Sequence, residues 1–300
     1  MLVTYDGGLL NGIAVLAAVV EAGSFVRAAD ALGITPSGVS RAVARLERRV
    51  GVRLFDRTAR SVRLTDEGRR MYTEVAPLLE GIEEAATRAA GSAAVVRGRL
   101  RVNVDGAFGH HLLAPRLPRF LGMHPELSVD VVVRDTLGDF VGEGFDAAVR
   151  FGEPEVAGLT CRRLLETRVL TCASPAYVAR RGMPAHPAEL AAHERIHFRD
   201  PATGRPFAWE PARGTERVRV PTGGRLTVND TETLMAVCLG GHGVAQVLEL
   251  YARDHLAAGR LVNMLPDWSD ERFPLYVYHR SRRLPSAKVR AFVDFVLTLA

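Results

Sequence analysis

A chain of 300 residues with 47% apolar content is long enough for about two domains with real cores, which excludes a disordered chain. Its formal charge of +5 suits a negatively charged partner, while no apolar run reaches the roughly 18 residues that a bilayer span requires. The three cysteines, Cys161, Cys172 and Cys238, are scattered, which argues against a disulfide framework and for a reducing cytoplasm.

The first expected element is a helix over residues 10–22, around the apolar run from Ile13 to Val20. No basic segment precedes it, so it reads as a core helix and not as a signal peptide. Phe25, Ala28, Ala29 and Leu32 then recur at helical spacing. Ser24 is placed to accept the free N–H groups of that helix, and Gly33 to end it in the left-handed conformation. Thr35 is the expected cap of the next helix, with Pro36 at its first position, where no N–H is needed. The apolar face of that helix is Val39, Val43, Leu46 and Val50, spaced 4, 3 and 4. Two helices joined by a short glycine-containing turn form a helix-turn-helix, whose second helix enters the major groove of DNA. From Arg41 to Arg63 there are eight arginines against Glu47 and Asp56, a net of +6, so the rest of the chain sums to −1. Lys288 is the only lysine, so the clustering of arginine is informative where its identity is not. Alternation at Val62 and Leu64 predicts a short strand pair over residues 52–65, a wing carrying Arg57, Arg60 and Arg63.

Thr65 is expected to cap a long helix to about residue 90, with Asp66 and Glu67 favourable in its first turn. Met71, Val75, Leu78, Ile82, Ala85 and Ala89 are spaced 4, 3, 4, 3 and 4, a heptad seam that asks for a partner helix. Pro77 should kink this helix. Residues 91–98 are small and mark a boundary. Beyond them strands and helices alternate, as in an α/β domain. The expected strands are 100–104, 127–133, 147–151, 169–173, 226–229, 244–247 and 274–278. Helices are expected over 112–121, from an Asp230 cap through 239, and over 286–299.

The motifs also carry a family likeness. Gly23 to Phe25, Ala28–Ala29, Thr35 to Ser40, Leu46–Glu47, Gly51, Leu54 to Arg57 and Leu64 to Gly68 stand in the order found in LysR-type transcriptional regulators, which this chain resembles over nearly its whole length. The resemblance implies an all-α winged helix-turn-helix domain over 1–65, a dimerising linker helix over 66–90 and a hinge over 91–98. It further implies an α/β two-lobed effector domain over 99–300, like a type 2 periplasmic binding protein. One lobe would take about 99–168 and 274–300, the other about 169–273. By the same resemblance, the partners are double-stranded DNA with a pseudo-palindromic operator, a small-molecule effector, a second copy in a homodimer that assembles into a homotetramer, and RNA polymerase. Neither a membrane nor a cofactor is expected.

Thr35, Pro36, Ser37, Ser40 and Arg41 open the recognition helix and are the expected base or adjacent backbone contacts. Ser24, Arg27, Arg45, Arg57, Arg60 and Arg63 are the expected phosphate contacts. The resemblance places the effector among strand ends at Asp105, Gly106, Ala107 and Phe108, at Arg134 and Thr136, at Arg150 and Phe151, at Asn229, Asp230 and Thr231, and at Gln246, with Thr171 a weaker sixth position. A turn into a helix at residues 106–110 would suit a carboxylate, but Asp105 puts a negative charge at the same mouth. Asp105 could instead bond to nearby backbone N–H groups. Arg150 either neutralises an anionic ligand or pairs with Asp146 or Glu153, and Phe108 and Phe151 are more often core residues.

Two rival readings remain. His193-Glu194-Arg195-Ile196-His197 matches the H-E-x-x-H pattern of zinc hydrolases, which needs a long helix and a third ligand. Pro187 allows only a short helix through Ala192, and Ile196 and Phe198 fit a strand, so no catalytic or metal site is expected. A solute-binding module whose N-terminal helices mediate protein contacts is the other rival, and the basic cluster argues against it. Cys172 reads as a buried small hydrophobe and not as a redox thiol.

Overall fold

The computed structural model describes residues 7–56, 63–89, 95–154, 158–280 and 285–299. Arg57 and Arg60 lie outside these residues, and so does the side chain of Ala89. The chain divides into two compact units, Met1–Val95 with Asp139–Gly144, and Val96–Gly138 with Phe145–Ala300.

The first unit opens with three helices, α1 (Gly7–Ala22), α2 (Phe25–Leu32) and α3 (Pro36–Val50). Ser24 caps α2 by accepting the Arg27 N–H, and Gly33 ends it at φ 65°. Thr35 caps α3 by accepting the Gly38 N–H, with Pro36 at the first position and Gly51 closing the helix at φ 77°. Strands β1 (Phe55–Asp56) and β2 (Arg63–Leu64) pair antiparallel as the base of the wing. Helix α4 (Asp66–Ala89) follows and runs on through Pro77. The core of this unit gathers Leu16, Val19, Ala28, Ala29, Val39, Val43, Leu46, Leu54 and Phe55, which are buried together. Ala28 and Ala29 have no side chain beyond Cβ, which lets α2 lie close to its neighbours.

One junction holds α3, the wing and α4 together. Glu47 is buried on α3, and its Oε1 accepts the N–H groups of Leu54 at 2.8 Å and Phe55 at 3.3 Å. The Leu54 carbonyl accepts the Thr65 N–H at 3.0 Å. The Thr65 hydroxyl donates to the Arg53 carbonyl at 2.7 Å and accepts the Gly68 N–H at 3.0 Å, capping α4. Gly68 is required by space: a Cβ there would sit 2.1 Å from the Leu54 carbonyl oxygen.

The second unit is built on a sheet of nine strands among the described residues. Strand β3 (Gly98–Val104) leads into a short helix α5 (Gly106–Phe108), a π-helical turn (Gly109–Leu113), a 3₁₀ turn (Ala114–Arg116) and α6 (Leu117–Met123). The helix expected over 112–121 is therefore split. Pro115 and Pro118 each lack an N–H, so the regular ladder cannot pass through. Strands β4 (Leu127–Val133) and β5 (Ala147–Phe151) run parallel to β3 on either side of it. Strand β6 (Leu159–Ala173) is ten residues longer than expected at its start. Its first half is largely exposed on both faces, and the register slips at the bulge opposite Leu275 and Tyr276. The expected alternation of a half-buried strand is therefore missing from the sequence there.

After β6 come α7 (Pro175–Arg181), a 3₁₀ turn (Pro187–Ala192), β7 (Arg195–Phe198), the hairpin β8 (Ala212–Arg213) and β9 (Glu216–Arg217), and β10 (Leu226–Val228). Then follow α8 (Thr231–Leu239), β11 (Val244–Leu248), α9 (Glu249–Ala257), β12 (Val262–Asn263), β13 (Arg272–Arg280) and α10 (Ala287–Leu297). The order across the sheet is β10-β7-β11-β6-β13-β5-β3-β4, with β12 on β6. Strand β6 belongs to both halves: residues up to Arg168 pair with β13, and Val169 onward pair with β11. Separate cores flank the halves, one around Val102, Phe120, Val149 and Phe292, the other around Leu170, Ile196, Cys238 and Val247. Arg168, at the changeover, forms a two-pronged ion pair with Glu249 on α9.

The Gly68→Ala substitution should destabilise the first unit by roughly 1–3 kcal/mol or more, because backbone and not a movable side chain opposes the new methyl. Urea unfolding of the full chain, compared with Gly81→Ala, whose Cβ meets nothing within 4 Å, checks this.

Candidate nucleic-acid interface and effector crevice

Helix α3 has two faces of opposite character. Val39, Ala42, Val43, Leu46 and Glu47 are buried, while Ser37, Ser40, Arg41, Arg45 and Arg48 are exposed. The exposed set follows the i, i+3, i+4 pattern, so it forms one outward row beginning at the helix N-terminus. The hydroxyls of Thr35 and Ser37 lie 3.1 Å apart, and Thr35 is engaged in the cap. Ser24 is likewise occupied in capping α2. Arg27 is exposed on α2, and Arg63 is exposed on β2 opposite Asp56. Sequence reasoning quoted Glu47 and Gly68 as motif letters and gave them no role. They set the position of the wing relative to α3, and the signal available was the run Leu46–Glu47 followed by Leu54 to Arg57.

Along α4 the seam is uneven. Met71 is half-buried and packs in part against the core of its own unit. Val75 is half-buried, Ala85 is exposed, and Leu78 and Ile82 are 57% and 59% exposed.

In the second unit, β3, β4 and β5 end side by side, with Val104 opposite Val133 and Val149. Asp105 caps α5: its Oδ1 accepts the Ala107 N–H at 2.9 Å and the Phe108 N–H at 3.3 Å. The anion site expected from free N–H groups at 106–110 is thus occupied by the protein's own carboxylate. Ala107 and Phe108 have buried side chains, with Phe108 in the core, so neither offers a ligand surface. Burial pushes the Asp105 carboxyl above its ordinary range, opposed by the Phe108 N–H and then by the Arg150 guanidinium. Burial and the charge of Asp105 push Asp135 upward as well. Arg150 pairs with neither Asp146 nor Glu153. Its Nη1 donates to the Arg134 carbonyl at 3.1 Å, and the carboxylates whose charge acts on it are Asp105 and Asp135. Asp146 instead accepts the Arg101 N–H and faces Lys288, while Glu153 accepts the Tyr276 hydroxyl.

Arg134 donates to the Leu137 carbonyl at 2.8 Å and lies over the Phe145 ring. Thr136 is exposed, and its carbonyl accepts the side-chain amide of buried Asn103. Phe151 stacks on Phe273 with centroids 5.8 Å apart. From the other half of the sheet, Asp230 caps α8 through the Thr233 N–H, which holds its carboxyl below the ordinary range. Asn229 is exposed and Thr231 half-buried. Gln246 is half-buried and pairs across to Thr171, which is buried inside β6. Two contacts that the sequence reading missed join the halves. His111 Nε2 lies 2.7 Å from Glu232 Oε1, with His110 at 3.8 Å from the same oxygen. Tyr251 of α9 packs its ring 4.8 Å from His111 and 6.2 Å from Phe151.

The H-E-x-x-H stretch crosses from a 3₁₀ turn into β7, so its histidines share no helix face. His193 contacts the Tyr177 hydroxyl, and His197 is buried against the Gly223 carbonyl and the Trp209 ring. Cys172 and Cys238 are both buried, with Cys238 Sγ donating to the Cys172 carbonyl. Burial pushes the Cys238 thiol up to about 12 and Cys172 higher still. Neither is a thiolate near neutrality.

Residues 10–69 match the family model described as bacterial regulatory helix-turn-helix protein, lysR family. Residues 93–300 match the model described as LysR substrate binding domain. An HTH-type transcriptional repressor of Pseudomonas aeruginosa is 32% identical over 290 residues, covering 97% of this chain and 92% of that protein. The HTH-type transcriptional regulator CrgA of Neisseria meningitidis is 32% identical over 286 residues, 95% of each chain. The solved structure of CrgA, a LysR-type transcriptional regulator, superposes with a TM-score of 0.63 at 29% identity over 98% of both chains.

An acid whose folded pKa lies above its unfolded one stabilises the fold fully below the unfolded pKa and loses that contribution as pH rises through the folded pKa. Asp105 is such a group. Asp105→Asn keeps a cap acceptor without the buried charge, so its stability relative to wild type should climb from about pH 4 toward neutrality. Thermal melts of both proteins across that range give the sign directly.

Proposed function

We propose that this chain, which belongs to the LysR family of bacterial transcriptional regulators and not to an enzyme family, binds a pseudo-palindromic operator as a dimer and changes its promoter output when a small molecule occupies the crevice of its second unit. The observation that carries the DNA reading is the outward row Ser37, Ser40, Arg41 and Arg45 on a helix whose opposite face is wholly engaged in the core. Ser37, Ser40 and Arg41 near the helix start are the base or adjacent backbone contacts. Arg27, Arg45 and Arg63, with Arg57 and Arg60 of the wing, are phosphate contacts that set position without reading sequence.

Residues 1–65 are the DNA-binding domain, 66–90 the dimer helix, 91–98 the hinge and 99–300 the effector domain. One recognition helix covers few base pairs, so two copies spaced by a helical turn are needed to read an operator. The exposed Leu78 and Ile82 supply the seam. A tetramer of two such dimers, contact with RNA polymerase and residence in the cytoplasm complete the proposal. No described helix is long and apolar enough to cross a membrane.

A salt series on the DNA upstream of the chain's own gene tests the whole reading: a footprint of two half-sites supports it, and binding that vanishes by physiological salt without a footprint sinks it. Arg45→Ala should weaken binding to all sequences alike and lower the slope of log K against log salt by about 0.9 for each subunit, about 1.8 for the dimer. Ile82→Glu should shift the dimer to monomer in sedimentation at low micromolar concentration, and a variant that stays dimeric removes the seam.

A further inference from the structure

The charges around the crevice do not balance. The Arg134 N–H bonds to the Val104 carbonyl at 3.2 Å and the Asp105 N–H to the Val149 carbonyl at 2.9 Å, so three strand ends place Asp105, Asp135 and Arg150 side by side. Asp230 and Glu232 face the same turn from α8, and His110 and Arg134 complete the charged groups there. Several of these are already engaged. Asp230 holds Thr233, Glu232 holds His111, and Arg134 is turned to the Leu137 carbonyl and the Phe145 ring. Asp105 has one oxygen on its cap. Among the described residues no hydrogen bond reaches its second oxygen or the carboxylate of Asp135, and the cation acting on both is Arg150.

Tyr251 adds an independent observation. It is 5% exposed, and its hydroxyl is buried with no hydrogen-bond partner among the described residues. Its ring packs between His111, in the turn that follows Asp105, and Phe151, the residue after Arg150, and the charge of Asp105 acts on its hydroxyl. A buried phenol without a partner is a cost that a native fold rarely carries unless something else fills the role.

We propose that the crevice takes an effector bearing a primary ammonium group, held by Asp105, Asp135 and the Tyr251 hydroxyl. The inference rests on the reading of the crevice as the effector site. An ammonium brings one positive charge and three N–H donors, matching two carboxylates and one hydroxyl oxygen. A carboxylate ligand would instead add negative charge to a site already rich in it. Among the described residues no group of three or more histidine, cysteine, aspartate or glutamate side chains is arranged to hold a metal ion, so an organic cation fits the excess better than an inorganic one.

Thermal-shift titration of the full-length protein with butylamine, cyclohexylamine, benzylamine and tyramine, each beside its matching alcohol and carboxylic acid, tests this. Amines should raise the melting temperature where their alcohols and acids do not. Asp135→Asn, which keeps the shape of the side chain, should weaken amine binding by about tenfold or more, and Tyr251→Phe should weaken it less. Acids binding better than amines, undiminished amine binding in Asp135→Asn, or no shift with any amine would overturn the inference. Acid binding that disappears in Arg150→Gln would overturn it while leaving the effector reading intact. Silence from all three classes would count against both.

Discussion

Glu47 is a carboxylate inside an apolar core, and its place there is set by two backbone N–H groups that have no other partner in the ladder of α3. Leu54 and Phe55 turn away from the helix and donate to it. Taking a charge out of water is expensive unless such bonds replace the lost hydration. Once Leu54 is fixed, its carbonyl fixes Thr65, and Thr65 in turn caps α4. Helix α4 can approach only because Gly68 presents no side chain to that carbonyl. The direction of the wing, the start of the long helix and the outward aim of α3 therefore depend on one buried acid and one missing methyl. The side chains of Arg41 and Arg45 take no part in this junction.

The second unit applies the same chemistry. Asp105 also places one carboxylate oxygen against two backbone N–H groups, as Glu47 does. Burial then works against ionisation, and a second acid, Asp135, stands close enough to add to the effect. Arg150 offsets part of the charge, and burial lowers its own affinity for a proton. A fold optimised only for stability would neutralise such a cluster, and its position at parallel strand ends is the reason the proposal for a ligand is made here.

Much of this was legible in the sequence, and the boundary between what was and was not is physical. Caps at Ser24, Thr35, Thr65 and Asp230 depend on a side chain reaching three residues along the chain, so residue type alone predicts them. The buried faces of α2 and α3 follow from 3.6-residue periodicity in the same way. Strand β6 escaped because the signal of a strand is alternation, and its first half is exposed on both faces and shifted in register by a bulge. The helix expected after α5 is broken at Pro115 and Pro118, which lack the N–H groups a regular ladder needs. In the candidate site, the strand ends were placed correctly along the chain, but the choice between ligand contact and backbone cap at Asp105 was a matter of where N–H groups point. His111, Glu232 and Tyr251 meet across residues far apart in sequence, and no local pattern announces a long-range pair.

That long-range pair bears on how a ligand could do work in the second unit. His111 and Glu232 join the turn after β3 to the first turn of α8, and Asp230 two residues earlier caps the same helix. Anything entering beside Asp105 meets the turn on one side and the start of α8 on the other. A ligand shifts a conformational equilibrium only by the difference in its affinity for the two states. A molecule that bonded Asp105 alone would bind both arrangements of the halves equally and change nothing. One that also altered the His111–Glu232 contact, by competing for it or by drawing the two elements together, would bind one arrangement better. In the proposed site, the chemistry that would recognise a ligand and the contact that would report its presence are thus carried by the same turn, residues 105–111.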